Sequence, residues 1–167
     1  MKTTIIALAS LFSFLSINAQ THSHAGAQPL SYPDIEGYVT LKTDLHMHSV
    51  FSDGKVWPTI RVEEELRENL DAISLTEHLE YQPHKADIPH PDRNRAYHLA
   101  IEEAKEHDLL IIPGSEITRS APVGHNNAVF ITDANQLLHE DAKDAFSTAK
   151  KQNAFVFWNH PAWYAQS

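Results

Sequence analysis

Hydrophobic and polar positions change period several times along the chain. From residue 38 the apolar positions alternate: Val39, Leu41, Leu45 and Met47 share one parity, and Lys42, Asp44, His46 and His48 share the other. Successive strand side chains face opposite ways. The pattern therefore predicts a strand over 38–46 with one apolar face and one face that ends in imidazoles. The stretch 58–69 (PTIRVEEELREN) predicts a helix, with Pro58 suited to its first turn. Beyond it the pattern predicts a strand over 71–76, a long charged helix over 91–107 and a doubly buried strand over 109–112. A fourth strand follows over 127–132, a helix over 139–151 and a fifth strand over 154–158. Strands separated by helices indicate βαβ units around a parallel sheet or barrel.

One connection breaks this rhythm. The third strand runs on through Gly114-Ser115-Glu116, and only eight residues separate Ile117 from Asn126. A parallel crossover takes a dozen residues or more. Strands three and four are therefore expected to form a hairpin, which would bring His125 back beside Glu116.

The chain's start has another character. Lys2 precedes an apolar run from Ile5 to Leu15, and Ile17-Asn18-Ala19 ends it. Residues 1–19 read as a secretory signal peptide, too short for a comfortable membrane span. This predicts a periplasmic or extracellular protein with no membrane attachment after cleavage. Residues 20–37 carry Pro, Gly and Ser and read as a linker, and residues 38–167 as one domain.

Composition narrows the chemistry. The 167 residues include 13 Lys+Arg and 22 Asp+Glu, a net charge of -9 with His neutral. Such a chain has no basic footprint for nucleic acid. Cysteine is absent and histidine numbers 12. Disulfides, thiolate ligands and cysteine nucleophiles are thereby excluded, and any bound metal is held by nitrogen and oxygen.

The candidate ligands gather at predicted strand ends. His46 and His48 lie on one strand face. Asp53 follows on a turn, His78 ends strand two, Glu116 ends strand three, His125 opens strand four and His160 follows strand five. Sites of α/β proteins collect at the carboxyl ends of strands. Imidazole and carboxylate suit zinc, iron or manganese, and the two oxygens of Glu116 can bridge two ions. Asp44 is placed to orient an imidazole. Glu77 has the parity of Ile73 and Leu75, so it either supports a ligand from behind or is solvated. The remaining histidines, His84, His90, His98, His107 and His139, read mostly as surface residues.

These residues also fall into motifs. Asp44-Leu45-His46-Met47-His48-Ser49 followed by Ser52-Asp53-Gly54 resembles the opening motif of the PHP (polymerase and histidinol phosphatase) superfamily. Ile73-Ser74-Leu75-Thr76-Glu77-His78 resembles its second motif. Gly114-Ser115-Glu116-Ile117-Thr118 with Gly124-His125 resembles its third, and Asn159-His160-Pro161 its fourth. The resemblance implies an α/β fold, a distorted (β/α)7 TIM-like barrel. It also implies up to three divalent metal ions and hydrolysis of a small phosphorylated substrate by a metal-activated water. It implies that His46, His48 and Glu116 hold a first ion, Glu116, His125 and His160 a second, and Asp53 and His78 a third. Asp53 and Arg119 are then the catalytic candidates, and Lys85, Arg93 and Arg95 the candidate phosphate clamps.

Two departures stand out. The second motif of the family usually reads Asp-His, and here it is Glu77-His78, one methylene longer, which bears on the third site. The family also closes its site with a further Asp-x-His pair, yet the only one here is Asp44-Leu45-His46. Such barrels typically take about 250 residues, so only the N-terminal part of one is expected. The alternatives are an amidohydrolase-like C–N hydrolase, which also uses a His-x-His, and a metal-binding protein without turnover.

Overall fold

The computed structural model describes residues 30–162. The expected signal segment, His22, His24 and most of the expected linker lie outside the described residues. No described helix is long and apolar enough to cross a membrane.

The described residues form six strands and three helices. They are β1 (Thr43–Met47), α1 (Pro58–Arg67), β2 (Ala72–Leu75), α2 (Arg95–Glu103), β3 (Leu110–Ile111), β4 (Gly114–Thr118), β5 (His125–Val129), α3 (Ala142–Lys151) and β6 (Phe155–Trp158). Single turns of 3-10 helix span Ala104–Glu106 and Ala134–Leu137. Local chemistry sets several boundaries. Pro58 opens α1 behind an extended Trp57, as a residue lacking an N–H can. The Asp141 carboxylate accepts the Lys143 N–H and caps α3. The predicted 91–107 helix starts later, at Arg95, because Asp92 takes the Asn94 N–H and holds residues 92–94 in a turn. The predicted first strand also starts later, at Thr43, and Tyr38, Val39 and Leu41 are exposed.

Strands β1, β2 and β3 form a parallel sheet in that order, with α1 and α2 as the crossovers. Their packing follows helical spacing: Val62 from α1 and Ala96 and Ala100 from α2 close on Ile73 and Leu75. Strands β4, β5 and β6 form a second sheet, antiparallel in that order. Ala145 and Ala149 of α3 pack beneath it with Ile117, Ala128 and Leu137.

Two expectations change here. The single third strand is two strands in different sheets, broken at Pro113, which has no N–H to give a ladder. The seven-stranded barrel is not found: the described residues form two three-stranded sheets without a closed ring. The reversal of β5, imposed by its short connection to β4, makes the second sheet antiparallel.

A backbone seam joins the sheets. The Leu79 N–H donates to Glu116 O, and the Glu116 N–H to Glu77 O, both at 2.9 Å. The extension of β2 thus runs parallel to β4, with His78 paired to Glu116. Strand β5 reverses and β6 reverses again. The carboxyl ends of β1, β2, β4 and β6 therefore point the same way, and the start of β5 meets them.

Candidate metal centre

At that shared end the strands deliver one carboxylate and five imidazoles. The register of β1 slips by one residue against β2 between Asp44 and Met47. Asp44 accepts the His46 N–H at 2.9 Å. Asp44 was expected to orient a ring; it acts on the His46 backbone instead. The turn after His48 is tight. A Cβ on Gly54 would lie 2.5 Å from the His48 carbonyl oxygen, so only glycine fits there. Gly114 gives similar clearance beside Ser74, where a Cβ would lie 2.3 Å from Oγ.

Glu116 is fully buried. Its Oε2 lies 2.9 Å from His46 Nε2 and 3.5 Å from His48 Nε2. Its Oε1 lies 2.8 Å from His78 Nδ1 and 2.7 Å from His125 Nδ1. The Asn159 amide donates to Oε2 at 3.0 Å. Burial pushes the Glu116 carboxyl up, but its contacts with His46, His48 and His78 outweigh it and hold it well below the usual carboxylate range. His160 stacks on His46 at 5.4 Å between ring centroids and meets His125 edge-on at 5.2 Å. Asp53 sits between His48 Nδ1, at 3.8 Å, and His78 Nε2, at 3.5 Å.

The imidazoles differ in their protonation. Burial pushes His78 down, and its contacts with Glu116 and Asp53 reverse this, so it ends above its ordinary value. His125 and His160 end below theirs, through burial and neighbouring imidazoles. Both therefore stay neutral near pH 7, the form in which imidazole ligates a metal.

Three groups of ligand atoms lie within 4.8 Å of one another: His46, Glu116 and His160; His48, Asp53 and His78; and His78, Glu116 and His125. All seven sequence-derived candidates are brought together. The partition differs from the implied one, because His160 stands with His46, and His78 reaches both Asp53 and Glu116. The donors are hard or borderline nitrogen and oxygen, at the spacing a shared divalent ion requires.

The cationic candidates are placed differently. Arg119 is ion-paired with Glu80 and donates to the carbonyls of Thr118 and His139. Arg93 donates to the carbonyls of Leu79 and His90. Arg95 lies 4.9 Å above the Phe51 ring, 5.8 Å from Trp57, and donates to the Pro89 carbonyl. These bonds tie the 79–95 segment to the rest of the domain. Lys85 lines an open cleft of about 270 Å³ with Gln82, Pro89, His90, Pro91 and Arg93.

Glu77, for which support from behind the ligands and solvation are both open in the sequence, is buried and bonded to Ser49 and Ser52. Other polar residues escape sequence reasoning. His90, expected at the surface, is buried against Phe51. Asn159 bridges Glu116 and Asn127, and Thr118 Oγ1 contacts His78 Nδ1 at 2.6 Å. For Ser52 and Asn159 the signal was their place inside the motifs; nothing marked His90.

No protein-family model and no curated protein matches the chain. Solved structures do. One, a two-domain protein from Bacteroides vulgatus ATCC 8482 containing a predicted PHP-like metal-dependent phosphoesterase, is 57% identical with a TM-score of 0.80. The match covers 85% of this chain and 42% of that one, so the chain spans under half of its relative's length. A proposed metal-dependent phosphoesterase from Bifidobacterium adolescentis is 24% identical, over 59% of this chain and 31% of that one, with a TM-score of 0.44. An amidohydrolase from Chromobacterium violaceum is 20% identical, over 66% and 32%, with a TM-score of 0.46. With four motifs in order and 57% identity over 85% of its length, the chain belongs with the PHP-like proteins.

Proposed function

We propose that this chain carries the metal centre of a metal-dependent hydrolase that acts on phosphate esters. The observation that carries the reading is Glu116: a carboxylate with no solvent exposure, held ionised among His46, His48, His78 and His125. An isolated buried carboxylate is costly, and a cage of imidazoles around it makes sense as a divalent-ion site. The donor set fits zinc, manganese or iron. When bound, such ions lower the pKa of water toward ~7 and offset charge developing on a phosphoryl group.

The chain's own residues then divide the work. Glu116, His46 and His160 hold one position, and His78 and His125 extend it around the other Glu116 oxygen. Asp53, half-exposed at the mouth, is placed to take a proton at a carboxylate oxygen facing His78. No protein nucleophile is required, which agrees with the absence of cysteine. A small phosphorylated substrate is the proposed partner, and export through residues 1–19 the proposed route to the periplasm or exterior. Similarity to the PHP-like relative supports the hydrolase reading.

The test is a panel of phosphate mono- and diesters, with amide substrates beside them, assayed after loading with zinc or manganese. Ester turnover that disappears in His46→Ala supports the proposal. Amide turnover alone, or bound metal with no turnover, contradicts it.

A further inference from the structure

Glu77, which stands where the family's second motif usually has Asp, is a heavily bonded buried carboxylate outside the ligand cage. Its oxygens accept the Ser49 N–H at 2.9 and 3.1 Å, the Ser49 hydroxyl, and the Ser52 hydroxyl at 2.5 Å. Ser49 and Ser52 have no solvent exposure. A carboxylate accepts and does not donate, whereas a serine hydroxyl has one proton to give and lone pairs to accept with. Ser52 gives its proton to Glu77. Toward His48 Nδ1, 3.2 Å away, it can then only accept. The alternative acceptor, Asp53 Oδ1, is 3.8 Å away and out of hydrogen-bond range.

On the other side of the ring, Glu116 Oε2 stands 3.5 Å from Nε2, beyond the usual hydrogen-bond range. The better-placed partner is Ser52, so the proton of a neutral His48 sits on Nδ1 and the lone pair on Nε2. We infer that Glu77, acting through the Ser52 hydroxyl, is a positioning residue that holds the His48 proton on Nδ1 and leaves the Nε2 lone pair, on the Glu116 side of the ring, for ligation. A ring nitrogen bonded to an outer partner is how proteins set the tautomer of a metal-ligating histidine. Here the partner is a relay of two groups, the Ser52 hydroxyl and the Glu77 carboxylate. The purpose of the relay rests on the metal-site reading above, but the tautomer itself does not.

Substitutions separate the relay from bulk structure. In Glu77→Gln, a side chain of the same size, the fixed Ser49 N–H claims the amide oxygen. The amide nitrogen then donates to Ser52, whose own proton turns to His48 Nδ1. The relay is reversed, and His48 shifts to the Nε2–H form. Ser52→Ala removes the acceptor altogether, and Ser52→Thr keeps it.

The experiment uses the full chain labelled with nitrogen-15 histidine. It is recorded metal-free at pH 8, with His48 identified by the signals lost in His48→Asn. Wild type and Ser52→Thr are expected to show His48 with hydrogen on Nδ1, and Glu77→Gln and Ser52→Ala to lose that preference. Zinc competition against a chelator is expected to weaken on the order of 10–100-fold in those two variants. A wild-type His48 protonated on Nε2, or a tautomer unchanged in Ser52→Ala, overturns the inference, and the wild-type spectrum decides even where a variant fails to fold. A wild type that shows the tautomer but takes up no zinc upholds the relay and overturns the metal reading instead.

Discussion

Glycine at 54 and at 114 solves two different crowding problems. At Gly54 an added Cβ meets backbone, the His48 carbonyl and the Ser49 nitrogen at 2.5 and 2.7 Å. At Gly114 the nearest atom is the Ser74 hydroxyl, a side chain that can turn. Gly54→Ala is therefore expected to cost about 1–3 kcal/mol, as overpacking does, and Gly114→Ala distinctly less. Urea unfolding of the metal-free chain reads both, and equal costs would contradict the distinction. Arg119 gives a second prediction at this scale. Its guanidinium is occupied by Glu80 and two carbonyls, so Arg119→Ala is expected to leave zinc affinity at the wild-type level. Chelator competition checks this, and a large loss would place Arg119 in the site. Burial pushes the Glu80 carboxyl up against the opposing pull of Thr118 and Arg119, so the cost of that substitution falls on stability.

Among the elements, helix ends are governed by single polar side chains. Asp141 caps α3 through the Lys143 N–H at 2.8 Å. Asp141→Ala is expected to lower stability by about 1 kcal/mol without changing metal uptake, because α3 packs beneath the second sheet, away from the ligands. Thermal melting with and without zinc measures both halves of that statement. The elements also show what a sequence can carry. Period-2 alternation at His46 and His48, and the short link from Ile117 to Asn126, foretold which strand ends would meet. The hairpin pairs Thr118 with His125, so a distant histidine became a neighbour of Glu116 by loop length alone. The break at Pro113 was less legible, because an apolar run on either side of it reads as one strand. The roles of Arg93, Arg95 and His90 were not legible at all. Each is fixed by a carbonyl or ring far away in sequence, and local pattern has no access to such partners.

For the whole molecule, the reversal of β5 decides the architecture. It turns the second sheet antiparallel while leaving four strand ends and one strand start directed at the same place. The seam between Glu77, Leu79 and Glu116 holds the two sheets in one frame, so the ligands of β1 and those of β4 to β6 face each other. A cage assembled from both sheets should be stabilised as a unit when an ion binds it, by mass action. The most direct measurement is metal uptake by the full chain, metal-stripped and then dialysed against zinc or manganese. It is counted by mass spectrometry for wild type and for Glu116→Gln, which keeps the shape and removes the charge. Wild type is expected to retain at least about one equivalent with a raised melting midpoint, and Glu116→Gln to show neither effect. Equal uptake by the two proteins, or none by wild type, would contradict this expectation.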